Sequence, residues 1–144
     1  MIKHIYLPLT LLLLSPIACH PPLPPRTIAG QWELFAYEDR NNLTRSYAPE
    51  HLPAPVVAEF SDKLNRGNYR IETATNAMWG KYRISKEQTI EFVKMEGTLK
   101  GENQWAKQLW TALESSHDYD YSPSWDTLYI YFQENQQSML WLRR

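Results

Sequence analysis

Short runs whose side chains alternate in polarity, each closed by turn-forming residues, constrain the fold of this chain more than any other feature. In "GQWELFAYE" (Gly30 to Glu38) the alternation sets Trp32, Leu34 and Ala36 on one side, with Glu33, Phe35 and Tyr37 on the other. "VVAEFS" repeats the pattern with Val56, Ala58 and Phe60. "DKLNRGN" supplies turn residues, and "YRIE" resumes with Tyr69 and Ile71. "WGKYRIS" points Tyr82 and Ile84 inward against Lys81, Arg83 and Ser85, and "TIEFVKM" opposes Ile90 and Phe92 to Glu91 and Val93. "WDTLYIYFQ" and "SMLWLR", parted by "ENQQ", close the chain. A repeat of two along the backbone is the repeat of a strand with one buried face.

One segment changes period. In "GENQWAKQLWTALESSH", Trp105, Leu109, Ala112 and Leu113 fall on one helical stripe, and Asn103 is placed to cap the first turn. Between Asp39 and Pro55 neither period holds, and so long a connection in a small domain is functional or mobile. The remaining gaps are short. The expected fold is mainly β within the α+β class: a small antiparallel β-barrel or meander of about seven to eight strands. One helix precedes the last two strands and covers an end of the barrel.

A different grammar governs the first residues. A basic start at Lys3 leads into an apolar stretch from Ile5 to Ala18, too short for the roughly 20 residues of a membrane-crossing helix. A small residue, Ala18, then precedes Cys19, the only cysteine of the chain. Basic beginning, short apolar core and small residue before the cut are the parts of an export signal. The arrangement resembles a bacterial lipoprotein signal, which implies cleavage before Cys19 and acylation of its thiol, although Pro16 stands where leucine or valine is usual. Several acyl chains on one residue make a stable anchor where one chain does not. Pro21, Pro22, Pro24 and Pro25 come next and favour an extended spacer. The expected divisions are a lipoprotein-type signal over 1–18, a proline-rich tether over 19–29 and a β domain over 30–144. The resemblance places the protein in the cell envelope, with His20 after the cysteine favouring the outer membrane and a body facing the periplasm.

Beyond residue 18 the chain carries 14 basic and 16 acidic residues, a balance that points neither to nucleic acid nor to anionic lipid. All six tryptophans lie in that portion, as expected for strands packed on an aromatic core.

The succession "GQWEL", "VVAEF", "TNAMWGKYRI", "EGTLK", a helix containing "ALES" and a closing strand pair resembles a META/HslJ-like domain over about Ile28 to Arg144. Its most specific part is Asn76 followed by Gly80 and Tyr82, with Trp32 at the first strand. Both cysteines that many members carry near these positions are absent, since Thr75 precedes Asn76 and Leu99, Lys100 and Gly101 follow Thr98. The resemblance implies a barrel, often exported or lipid-anchored and linked to envelope stress, and it implies no reaction. Read from the residues alone, Asn76 fixes a turn and Gly80 permits close approach of a neighbouring strand.

Chemistry has little support in the sequence. His117, Asp118, Asp120 and Asp126 are the nearest approach to a metal-binding set, but their spacing fits no zinc or calcium template, so no metal and no cofactor is expected. No nucleophile elbow accompanies the serines and histidines, and the chain is read as a non-enzyme. Two binding readings remain. In one, an envelope protein is engaged through Tyr47 and His51 of the long connection and through Tyr119, Tyr121 and Trp125. In the other, Gly30-Gln31-Trp32 opens a lipocalin-like barrel that holds a small apolar ligand. An apolar interior cavity above about 300 Å³ would favour the ligand, and a solid core the protein partner.

Overall fold

The computed structural model describes residues 27–98, 100–101, 103–122, 124 and 126–144. The signal over 1–18, Cys19 with the proline run as far as Arg26, and Trp125 lie outside the described residues. Six strands precede the helix: β1 (Gly30–Asp39), β2 (Thr44–Tyr47), β3 (Val57–Lys63), β4 (Arg66–Glu72), β5 (Ala77–Ile84) and β6 (Ile90–Gly97). The helix α1 (Gln104–Glu114) comes next, and then β7 (Ser116–Tyr121), β8 (Thr127–Phe132) and β9 (Gln137–Arg143).

Eight strands form one antiparallel path in the order β6-β5-β4-β3-β1-β9-β8-β7, and β2 attaches to β1. The two ends of the path meet at a Thr89–Asp118 bridge, where Tyr119 N also donates to Gln88 O at 2.9 Å. The sheet is thereby a nearly closed barrel, as the short gaps between alternating runs required. Two strands go beyond the sequence expectation. β2 lies inside the connection read as aperiodic, and β7 occupies the stretch read as a polar exit from the helix, so three strands rather than two come after α1.

β1 is the spine of the barrel. One edge pairs with β9 along the strand, while the other serves β3 over Gly30–Glu33 and β2 over Ala36–Asp39. A bulge at Phe35 shifts the register against β9 between Leu34 and Ala36. An extra residue reverses the facing of the residues beyond it. Tyr37, which simple alternation puts outside beside Phe35, therefore enters the core with Trp32 and Leu34 and packs edge-on against Trp105 and Phe132.

α1 covers one end. Asn103 accepts from Ala106 N at 2.8 Å as the N-cap, and the striped residues Trp105, Leu109, Ala112 and Leu113 are all buried in the core. The interior is filled by side chains, Trp32, Trp141, Tyr82 and Phe132 being the largest of those fully buried. No helix of the described residues is long and apolar enough to cross a membrane.

Candidate functional site

Asn76 and Thr98 come together where the β4–β5 turn meets the segment entering α1. Asn76 is buried, and its amide faces the backbone of Lys100 as a strand would: Oδ1 accepts from Lys100 N at 2.7 Å and Nδ2 donates to Lys100 O at 3.0 Å. Beside it Ala77 N donates to Thr98 Oγ1 at 3.1 Å, and Thr98 N donates to Ala77 O at 3.0 Å. The turn itself is tied by Thr73, whose Oγ1 accepts from Asn76 N at 3.0 Å. These contacts stitch the loop to the barrel rim and leave an open cleft of about 340 Å³ under α1, with Met78, Ala106 and Trp110 as its apolar lining. Lys100 and Lys107 stand at the same cleft.

Gly80 and Tyr82 lie on β5. A β-carbon at Gly80 would lie 2.5 Å from Lys94 O and 2.9 Å from the Tyr69 ring, so the tyrosine lies across a position that only glycine leaves open. Tyr82 is fully buried and donates to Ser61 O at 3.3 Å, and Trp32 donates from its indole to Ile28 O at 2.8 Å. Trp32, Asn76, Gly80 and Tyr82 thus each hold strands or loops together.

The acidic stretch after the helix is spread along β7 and the turn beyond it. Asp118 receives Asn135 and His117, Asp120 receives Gln88, and Asp126 receives Ser122, Ser124 and Thr127. Asp118 is held below the usual carboxylate range first by the Asn135 hydrogen bond and then by His117. Asp126 is lowered likewise by its serine and threonine donors. Asp118 reaches Asn135 in the β8–β9 turn, Asp120 reaches Gln88 in the β5–β6 turn and Asp126 closes its own loop, and among the described residues no three histidine, cysteine or acidic side chains gather as metal ligands.

The residues considered for a partner surface are separated. Tyr47 is 54% exposed on β2 and His51 is exposed beyond it. Tyr119 is only 7% exposed and belongs to the core, and Tyr121 packs against it at 5.9 Å and against Trp32 at 6.3 Å. Strands β9 and β8 stand between β1 and β7, so the two groups do not form one face. What Tyr47 does meet is Phe35, 41% exposed, with the rings edge-on at 5.3 Å. Alternation had put Phe35 outward. That the bulge aims it at Tyr47 was not readable from the sequence.

No protein-family model matches the chain, and no curated protein does. Two solved structures share its fold. A protein from Burkholderia xenovorans, solved by NMR, superposes with a TM-score of 0.61 at 15% identity over 80% of this chain and 81% of its own. A DUF4847 family protein from Bacteroides vulgatus, known from a crystal structure, gives 0.58 at 12% identity over 81% and 93%. At such identities the likeness is one of fold.

Proposed function

We propose that the chain is a lipid-anchored bacterial envelope protein, with a META/HslJ-like domain that works as a non-enzymatic interaction or stress-response module. The observation that carries this reading is a barrel whose interior is filled by its own side chains and that still displays the Phe35–Tyr47 pair to solvent. A filled interior leaves the outer surface as the place for recognition, and exposed aromatic pairs are the anchors that protein interfaces use. The run ending at Ala18-Cys19 supports tethering, with the thiol as the acylated group.

Crosslinking capture from native membranes, with the anchor intact, tests the module. Phe35→Ser and Tyr47→Ala are expected to lose a partner that Tyr129→Ala retains, and equal capture by all three overturns the assignment of this surface. Intact mass of protein from its own host tests the tether: it should begin at Cys19 and exceed the polypeptide by several acyl chains.

A second reading, a small apolar ligand, is favoured only by the cleft under α1 with Met78, Ala106 and Trp110. Saturable binding of a fluorescent apolar probe, lost in Trp110→Ala, would support it. Non-saturable binding would remove it.

A further inference from the structure

The pole of the barrel opposite α1 carries a charge that the overall balance conceals. Lys63, Arg66, Lys81, Arg83 and Lys94 all line one open cavity of about 560 Å³ at the β3–β4 turn and along β5 and β6. Three acidic groups stand near them, Glu96 among them beside Lys81 and Lys94 at an adjoining cavity. Asp62 accepts from Thr27 Oγ1, and Glu91 lies 3.6 Å from Arg83. Among the described residues Lys63, Arg66, Lys81 and Lys94 make no salt bridge. Five cations converging on one concavity raise the local potential well above what a net charge near zero implies.

At the tip of the same turn stands Leu64, 94% exposed and in the left-handed backbone region at φ 60°, in the run Lys63-Leu64-Asn65-Arg66. The positive φ belongs to the two-residue hairpin loop between Lys63 and Arg66, and that loop holds the leucine side chain out into solvent beside the cations. Leu43 at the β1–β2 turn is similarly exposed at 85%, but its neighbours Asn42 and Thr44 are uncharged.

The Thr27–Asp62 contact also fixes where the chain enters the barrel: at the rim of this basic cavity. Seven residues separate Thr27 from Cys19, so covalent geometry keeps the two within about 29 Å. A lipid on Cys19 would thus leave this pole, where the leash joins the barrel, within reach of the bilayer.

We propose that the pole is a membrane-contact surface on which Leu64 enters the acyl boundary while the five cations take the phosphates of anionic lipid headgroups. An apolar tip among cations is the composition of an interfacial anchor, and beside a lipid tether such a patch sets which face of the barrel meets the membrane. The inference rests on the tethered reading for bringing the pole to the membrane. The charge and the exposed leucine are independent of it.

The test is co-sedimentation of the full chain carrying Cys19→Ser with phosphatidylcholine vesicles, with and without about one third phosphatidylglycerol. The leader, basic at Lys3 and apolar beyond it, is the same in every variant, so differences in the ratio of the two partition coefficients between variants read the charge of the pole. The ratio should be about tenfold or more at low salt and fall towards one near 0.3 M salt. Lys63→Glu with Arg66→Glu should lower it severalfold, and Leu64→Ser should lower binding severalfold where Leu43→Ser does not. Lys100→Glu with Lys107→Glu makes the same charge change at the other pole and should keep the preference. A ratio of one for the unaltered chain, or equal loss in both double variants, overturns the proposal. Release from the vesicles by about 10 mM inorganic phosphate also overturns it, in favour of a soluble anion. An unmodified Cys19 in protein from the native host defeats the tether alone and leaves the vesicle ratio to be judged by itself.

Discussion

The side chain of Asn76 pairs with the backbone of Lys100 through two hydrogen bonds, of 2.7 and 3.0 Å, so that one amide does the work of a strand residue. The segment entering α1 has no sheet partner of its own at this point, and the clamp replaces one. Asn76→Ala removes both bonds from the Lys100 backbone, and should lower unfolding stability by about 1–3 kcal/mol. Asn76→Asp keeps the acceptor but sets a carboxylate against the Lys100 carbonyl, so it should not restore stability. Urea denaturation of the three chains checks this, and an unchanged midpoint in Asn76→Ala would show that the clamp contributes nothing.

Gly80→Ala should cost about 1–3 kcal/mol, because the new methyl meets the Lys94 carbonyl and the Tyr69 ring at the same time. Shrinking the tyrosine removes only one of those clashes, so Tyr69→Leu should relieve the cost in part within a double-mutant cycle. Gly101→Ala, where nothing lies within 4 Å of the added carbon, is the matched neutral substitution.

The hydroxyl of Tyr69 is buried and has no hydrogen-bond partner among the described residues. Desolvation pushes its pKa up to about 12. A raised value in the folded state means that its contribution is fully present below the ordinary tyrosine value near 10 and is lost as pH rises through about 12. Tyr69→Phe should accordingly be close to neutral at pH 7 and should flatten the alkaline loss of stability. Guanidinium melts at pH 7 and above pH 10 distinguish the two effects. A substantial loss at pH 7 would reveal a hydroxyl that is needed.

At the acid side the group to watch is Asp118, lowered by Asn135 and then by His117. A lowered folded value gives stability that is present above the ordinary aspartate value near 4 and disappears as pH falls through the folded one. Asn135→Ala removes the larger cause, so its acid-unfolding profile should be flatter below about pH 4 than that of the unaltered chain. Because Asp118 also lies on the β6–β7 seam, amide exchange at Tyr119 should rise in the same variant.

Asn103→Ala isolates the helix start. Loss of the bond to Ala106 N should destabilise by about 1 kcal/mol, with the near-ultraviolet signal of Trp105 weakening as the first turn frays.

The barrel class, the helix with its cap and its buried stripe were all legible, because each rests on a periodicity that burial enforces. β2 was not: Thr44, Arg45, Ser46 and Tyr47 are all exposed, and a strand with no buried face has no polarity pattern. β7 does alternate, with Tyr119 buried between Asp118 and Asp120, but a bulge between Ser116 and Asp118 and its polar composition hide the period. Tyr37 was misplaced for the same class of reason, since a bulge is invisible to a parity count. The basic pole was hidden because Lys63 and Arg66 are distant in sequence from Lys81, Arg83 and Lys94, and only the curl of the sheet sets them around one concavity.

The chain leaves the barrel through β1, the strand with β3 on one side of its first residues and β9 on the other. Tension arriving through Thr27 is therefore loaded in shear across two ladders at once instead of peeling an outer strand bond by bond. A barrel pulled at this end would have to part both ladders before its first strand came free.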